Sequence, residues 1–334
     1  MDLVTRRPAG CLYLEMSTQL TIERLKAEAE RFGFSACGVA RCTFVEGSVA
    51  SAFSEWVSAG HHGSMTYMEG NMDKRLNPCL LLPSARSVIV VVLNYYPERR
   101  LEENQLQFAY YAYGKDYHDV MQSRMGQLAD ALSIYDVRKR KDGDDTGGDA
   151  HEGLVCCDTV PVLERYWAWK AGIGWIGKNN SLIIPHAGSY FFLGVILTSL
   201  EFTEYGVPMS NYCGNCDNCL NACPTGALNA PYCLDASKCL SYLTIENRDP
   251  IPAEYATKMG NTVYGCDRCQ QCCPHNRFAT PTSVPEFSPS DEFMTMTSEK
   301  WHHLTEQDYR RIFKGSAVKR AKYAGLRRNI DLFF

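Results

Sequence analysis

The chain has 334 residues, 16 cysteines and a formal net charge of -4. That length suffices for two or three domains with a real core, and the charge gives no global attraction to nucleic acid. No stretch approaches eighteen uninterrupted apolar residues, so no membrane span is expected; nor does an apolar run of signal-peptide length follow Arg6 and Arg7. So many cysteines without a secretion signal point to metal and to the reducing cytoplasm.

Residues 1–15 read as a flexible extension. An amphipathic helix is predicted from Thr18, its N-cap, with Ile22, Leu25, Ala29 and Phe32 at helical spacing and Gly33 just past its end. Residues 16–204 read as α/β: Phe34–Ala40, Ser87–Tyr96, Leu154–Cys157 and Tyr190–Leu200 as strands, Ser123–Tyr135 as a helix. Pro161–Ala171 is predicted as a second helix, with Pro at its first position and Gly172 past its end. Arg138–Asp149 reads as a mobile surface loop. Residues 205–284 form a cysteine region organised by metal, and residues 285–334 a basic helical segment. Between Arg310 and Arg328 stand eight Lys or Arg and no acid.

The cysteines carry the strongest signal. Cys213-x2-Cys216-x2-Cys219-x3-Cys223-Pro224 matches the bacterial ferredoxin run, whose fourth cysteine ligates the other cluster of a pair. Cys266-x2-Cys269-x3-Cys273-Pro274 repeats its end, and Cys239 stands between. Soft iron takes thiolates. The x2 spacing lets sulfurs from one tight loop reach several corners of a cube, and Pro stops the loop from continuing as helix. Pseudo-twofold ferredoxin geometry then assigns Cys213, Cys216, Cys219 and Cys273 to one [4Fe-4S] cluster, and Cys223, Cys239, Cys266 and Cys269 to the other. Cys272 is the rival of Cys273. Two structural zincs are the alternative for such pairs. Cys11, Cys37, Cys42, Cys79, Cys156 and Cys157 lack ligand spacing and read as small buried hydrophobes, and Cys233 as a packed or free thiol.

Taken alone, Asp158 in Asp158-Thr159-Val160-Pro161 reads as a helix-start carboxylate near N-terminal amides. The Gly-rich stretch from Ala171 to Asn179 is neither a Walker loop nor a dinucleotide fingerprint. It reads as a turn with close backbone approach, with a large flat ligand as one candidate for what approaches.

Asp158–Asn179, Gly188–Gly194, both cysteine runs, Tyr264-Gly265-Cys266-Asp267, Cys269-Gln270 and Arg328-Asn329 occur in order. With Arg75, Leu80-Leu81-Leu82-Pro83 and Gly114-Lys115-Asp116-Tyr117-His118, the chain over residues 17–330 resembles the epoxyqueuosine reductase family, itself related to cobalamin-dependent reductive dehalogenases. The resemblance implies an α+β architecture: an N-terminal α/β cobalamin-binding domain, a ferredoxin-like two-cluster domain and a helical C-terminal segment. It implies an oxidoreductase that converts epoxyqueuosine to queuosine at the wobble position of a tRNA with a GUN anticodon. Asp158 would be the general acid, because the departing oxygen gains negative charge. Base-off cobalamin would lie near Arg75, Asp158, Lys178, Asn179, Leu182, Ser189, Tyr190 and Ser241, with His118 structural rather than ligating. Lys314, Ser316, Lys319, Arg320 and Arg328 would meet tRNA; without the resemblance they read as a solvated helix face. Family members often continue into helical repeats after Arg-Asn. This sequence runs five residues past Asn329, so a smaller footprint on the anticodon loop is expected. A flavodoxin or ferredoxin would supply electrons to a monomer. The alternatives are a small-molecule dehalogenase-like enzyme and a ferredoxin-type electron-transfer subunit.

Overall fold

The structure is a computed structural model that describes residues 20–139 and 150–334. The expected N-terminal extension, the Thr18 cap and nearly all of the 138–149 loop lie outside these residues. Helix α1 (Ile22–Arg31) is capped instead by Thr21, whose hydroxyl accepts from the Arg24 amide at 3.2 Å. Strand β1 (Ala36–Arg41), helices α2 (Gly47–Ser58) and α3 (Met72–Leu76), strand β2 (Ser87–Asn94) and the short β3 (Gln107–Phe108) follow. Helix α4 (Tyr117–Ala131) starts six residues before the predicted Ser123, because Asp116 caps it by accepting from the His118 amide. Its predicted last residues form strand β4 (Ile134–Asp136).

Strand β5 (His151–Cys156), helix α5 (Glu164–Lys170), the hairpin β6 (Trp175–Ile176) and β7 (Leu182–Ile183), and strand β8 (Phe191–Thr198) complete the first half. Five strands form one mixed sheet in the order β1-β2-β8-β5-β4, antiparallel except for β4 beside β5. β2 lies between β1 and β8 and is apolar on both faces. Ile89, Val91 and Leu93 pack with α1 and α4, while Val88, Val90 and Val92 pack toward α5. Each of these side chains is fully buried, which stabilises by roughly 1.5–3 kcal/mol apiece. Helix α5 begins three residues after Pro161. Pro161 is therefore not its first residue, and Asp158 does not start a helix.

The second half holds short elements: α6 (Asn218–Asn221), β9 (Leu228–Ala230), β10 (Cys233–Leu234), α7 (Leu240–Ile245), α8 (Ala253–Ala256), β11 (Thr262–Tyr264) and α9 (Arg268–Gln271). The cluster of buried residues centred there is small: Leu240, Leu243, Ile251 and Met259. Helices α10 (Asp291–Met294), α11 (Ser298–His302), α12 (Glu306–Ile312) and α13 (Lys322–Asp331) close the chain. Their aromatic core of Phe293, Trp301, Tyr309 and Phe313 gathers on Phe108 and Tyr264, where β3 pairs in parallel with β11.

Candidate iron–sulfur and acid sites

The two cysteine runs fold alike. In each, an aspartate precedes a one-turn helix, and its carbonyl accepts two amides: Leu220 and Asn221 on Asp217, Gln270 and Gln271 on Asp267. The turn closes by a bond from Cys223 to Leu220 in one run and from Cys273 to Gln270 in the other, and Pro224 or Pro274 follows. Cys219 thus corresponds to Cys269, Cys223 to Cys273, and Ala222 to Cys272. Cys213, Cys216, Cys219 and Cys273 line one small cavity. Cys272 is not among its lining residues and turns its thiol to the Cys269 carbonyl at 3.6 Å. Burial, followed by Cys266 and Cys239, pushes the Cys269 thiol up; Cys239 in turn feels Cys223. Among the described residues no three His, Cys, Asp or Glu side chains close to the spacing of a single ion. A cube spreads its thiolates over its corners and needs wider room.

The cysteine module is tied to the sheet by residues expected at the corrin. Lys178 Nζ donates to the Cys216 carbonyl at 2.7 Å, and Asn179 Nδ2 to the Cys269 carbonyl at 3.1 Å. The Ser189 amide and hydroxyl meet Asn276 and Gln270. Tyr190 is buried among Tyr95, Tyr96 and Tyr110, and Leu182 is buried in β7. Lys178, Asn179 and Ser189 thus each bond a residue of the cysteine runs, while Leu182 packs in the sheet core. Gly188 has φ +86, and a Cβ there would come within 2.2 Å of Asn276 Oδ1. The close approach expected of the Gly-rich stretch is to protein: a Cβ on Gly174 would meet the Ile183 carbonyl at 2.2 Å.

Asp158 follows the end of β5 in the left-handed region, φ 51, a conformation that costs a non-glycine residue of order 1 kcal/mol. The Asp158 amide donates to Glu164 Oε1 at 2.7 Å. Its carboxylate is 47% exposed and accepts from the Tyr117 hydroxyl; His118 Nε2 stands 3.9 Å away. His118 Nδ1 meets Asp116 Oδ1 at 2.7 Å, which holds the imidazole above its ordinary range. Burial and then the Asp158 charge push both the Tyr117 hydroxyl and the Glu164 carboxyl well up. The Tyr117 hydroxyl therefore stays a donor to Asp158. Arg75, buried over the Phe53 ring, donates to the Tyr67 carbonyl at 3.2 Å, while its Nε has no partner among the described residues. Burial lowers it, with the neighbouring Glu164 and then Tyr67 acting in the opposite direction.

The expected tRNA contacts divide. Lys314 and Lys319 are exposed, and Lys319 is close enough to Asp116 to act on its charge. Arg320 is held by both oxygens of Glu246 at 2.8 Å. Ser316 is corrected: it is 6% exposed, caps the following turn and donates to the Ala112 carbonyl. Arg328 is corrected too, for its guanidinium donates to the carbonyls of Leu243, Asn247 and Asp249. Sequence reasoning gave Glu164, Tyr117 and Tyr67 no role. The first two lie inside quoted motifs, but nothing in their spacing marks them as neighbours of Asp158.

Paired cysteine turns fastened to a sheet that presents a held carboxyl define an iron–sulfur oxidoreductase. Residues 212–276 match the model of a 4Fe-4S double cluster binding domain, and residues 75–159 match that of epoxyqueuosine reductase QueG, DUF1730. An epoxyqueuosine reductase of Cellulophaga algicola is 41% identical over 307 residues, 92% of this chain and 96% of that one. A crystal structure of epoxyqueuosine reductase with a tRNA-Tyr epoxyqueuosine-modified stem loop superposes with a TM-score of 0.80 at 30% identity, over 93% of this chain and 80% of that chain. The enzyme from Bacillus subtilis, whose catalytic aspartate loop is described as swung out of the active site, gives 0.78 at 29% over the same shares. The chain belongs to the epoxyqueuosine reductase family.

Proposed function

We propose that this protein reduces epoxyqueuosine to queuosine in tRNA, with Asp158 as the proton donor. The carrying observation is the Asp158 carboxyl: half-exposed, held by Tyr117, on a main chain fixed by Glu164. The relative solved with a modified tRNA stem loop supports the substrate. Converting the epoxide to an alkene takes two electrons and two protons and releases water. The oxygen gains negative charge as its carbon bonds break, and a positioned acid is worth about 10²–10⁴-fold there. Glu164 holds the Asp158 main chain through the amide it accepts from, and the Tyr117 hydroxyl fixes which Asp158 oxygen faces outward.

Electrons enter through two [4Fe-4S] clusters, one on Cys213, Cys216, Cys219 and Cys273, the other on Cys223, Cys239, Cys266 and Cys269. The cavity and the repeated turns support that division, and a flavodoxin or ferredoxin is the donor that fits. The unpartnered buried Nε of Arg75, beside the Asp158–Glu164 pair, fits a large acceptor-rich group, as the amides and phosphate of cobalamin are. Cobalamin held there by Arg75 and Ser241 would supply a low-valent cobalt able to deliver electrons to the epoxide. Lys314 and Lys319 are the side chains left to meet tRNA phosphates. The test is anaerobic reconstitution with iron, sulfide and cobalamin, then assay on an epoxyqueuosine-containing anticodon stem-loop. Queuosine should form; no turnover by the reconstituted wild type overturns the reading.

A further inference from the structure

Among the described residues outside the two cysteine runs, one pair of thiols touches. Cys42 follows β1 and Cys79 lies in the turn after α3, and their sulfurs stand 3.5 Å apart, both partly exposed. Phe44 and Leu80 beside them are 71% and 50% exposed, so a small reagent can reach the sulfurs. The pair sits at the neck of residues 43–78, where the Val45 amide also bonds the Leu76 carbonyl at 2.9 Å. That segment reaches both functional regions. Arg75 and Tyr67 lie beside Glu164 and Asp158. Trp56 Nε1 donates to the Leu234 carbonyl at 2.6 Å, and the His61 carbonyl accepts from the Ala236 amide at 2.8 Å, three residues before Cys239.

We propose that Cys42 and Cys79 are a reversible dithiol–disulfide pair that staples the neck of the 43–78 segment. The oxidant is a small-molecule disulfide. The Cys79 thiolate attacks it and releases one thiol; Cys42 then displaces the second thiol from the mixed disulfide as the Cys42–Cys79 bond forms. Two protein thiols lose two electrons and two protons, and the oxidant becomes two thiols. Burial first, then the Cys79 hydrogen bond, pushes the Cys42 thiol up, so Cys42 is the slower of the two to attack from outside. The bond forms with a shift of about 1.5 Å between sulfurs, given an S–S length of ~2.05 Å. Once closed, it shortens the loop that an unfolded chain can sample.

The test uses the cluster-loaded protein treated anaerobically with oxidised glutathione, then alkylated and digested without reduction. The expected product is the Cys42 peptide linked to the Cys79 peptide, reversed by dithiothreitol with the cluster absorbance unchanged. The thermal midpoint should rise by roughly 5 °C on bridging. Cys42→Ser should stop at a glutathione adduct on Cys79. Finding that adduct in the wild type without the linkage, or no modification at either cysteine, overturns the proposal.

Discussion

The Asp158 amide and the Glu164 carboxyl are joined at 2.7 Å across a turn of six residues. This bond holds a left-handed aspartate in place and sets a half-buried carboxyl, raised above the usual carboxylate range, behind an exposed one. In a relative from Bacillus subtilis the catalytic aspartate loop is described as swung out. In this chain Glu164 supplies the contact that fixes the Asp158 main chain.

Replacing Glu164 tests the holding contact. Glu164→Ala removes the acceptor, and turnover should fall by about 100-fold, the cost of misplacing a reacting group by ~1 Å. Glu164→Gln keeps an acceptor oxygen for the Asp158 amide and should retain far more kcat than the alanine variant. Equal losses in both variants would remove the positioning role.

The same residue makes a pH prediction. Its folded value is raised above the unfolded ~4.3. The stability it contributes is complete below pH ~4.3 and is lost as pH rises toward the folded value. Glu164→Gln lacks that loss, so its denaturation midpoint should gain on the wild type between pH 4 and 8. A constant difference across that range would contradict the raised carboxyl.

Asp158→Asn should abolish queuosine formation while iron content stays unchanged. Tyr117→Phe removes one donor and should lower kcat by roughly 10-fold, about the worth of one hydrogen bond to a charged group, with little change in KM. The wild-type rate persisting in Asp158→Asn would show that the proton comes from elsewhere.

Cys272 and Cys273 can be told apart by iron analysis. Cys273→Ser should lose the iron and sulfide of one cluster, whereas Cys272→Ser should keep both, since its thiol turns to a carbonyl. The reverse pattern would move the ligand by one residue.

Arg328→Ala should lower stability by about 3 kcal/mol, because buried carbonyls lose a charged donor. Its effect on stem-loop binding should follow that loss of fold. Lys319→Ala should leave the melting midpoint alone, weaken stem-loop binding and reduce the salt slope by about 1. Fluorescence titration at several salt concentrations reads the slope, and an unchanged slope would take Lys319 out of the interface.

What could be read from the sequence was local. The cysteine turns repeat a spacing, and a spacing is written in the chain. The valine run of β2 was equally plain, since burial on both faces demands it. The start of α5 was not: Pro161 suits a first helical position, yet the main chain turns through Val160 and Val162 before Glu164 begins the helix. Arg328 was misread for a related reason. A sequence displays its charge, while the carbonyls it satisfies come from residues about eighty positions earlier, around α7. Lys178, Asn179 and Ser189 were placed near a cofactor by motif alone, and their partners in the cysteine turns appear only once the two halves are packed.

Strand β3 has a consequence for modularity. It leaves the sheet half of the chain to pair with β11, and Phe108 then fills the aromatic core of the last four helices. A fragment beginning at residue 205 would leave that core without its centre, so the cysteine half cannot be lifted out as a free-standing electron carrier. The sheet half and the cysteine half thus share one core through Phe108 and fold as a single piece.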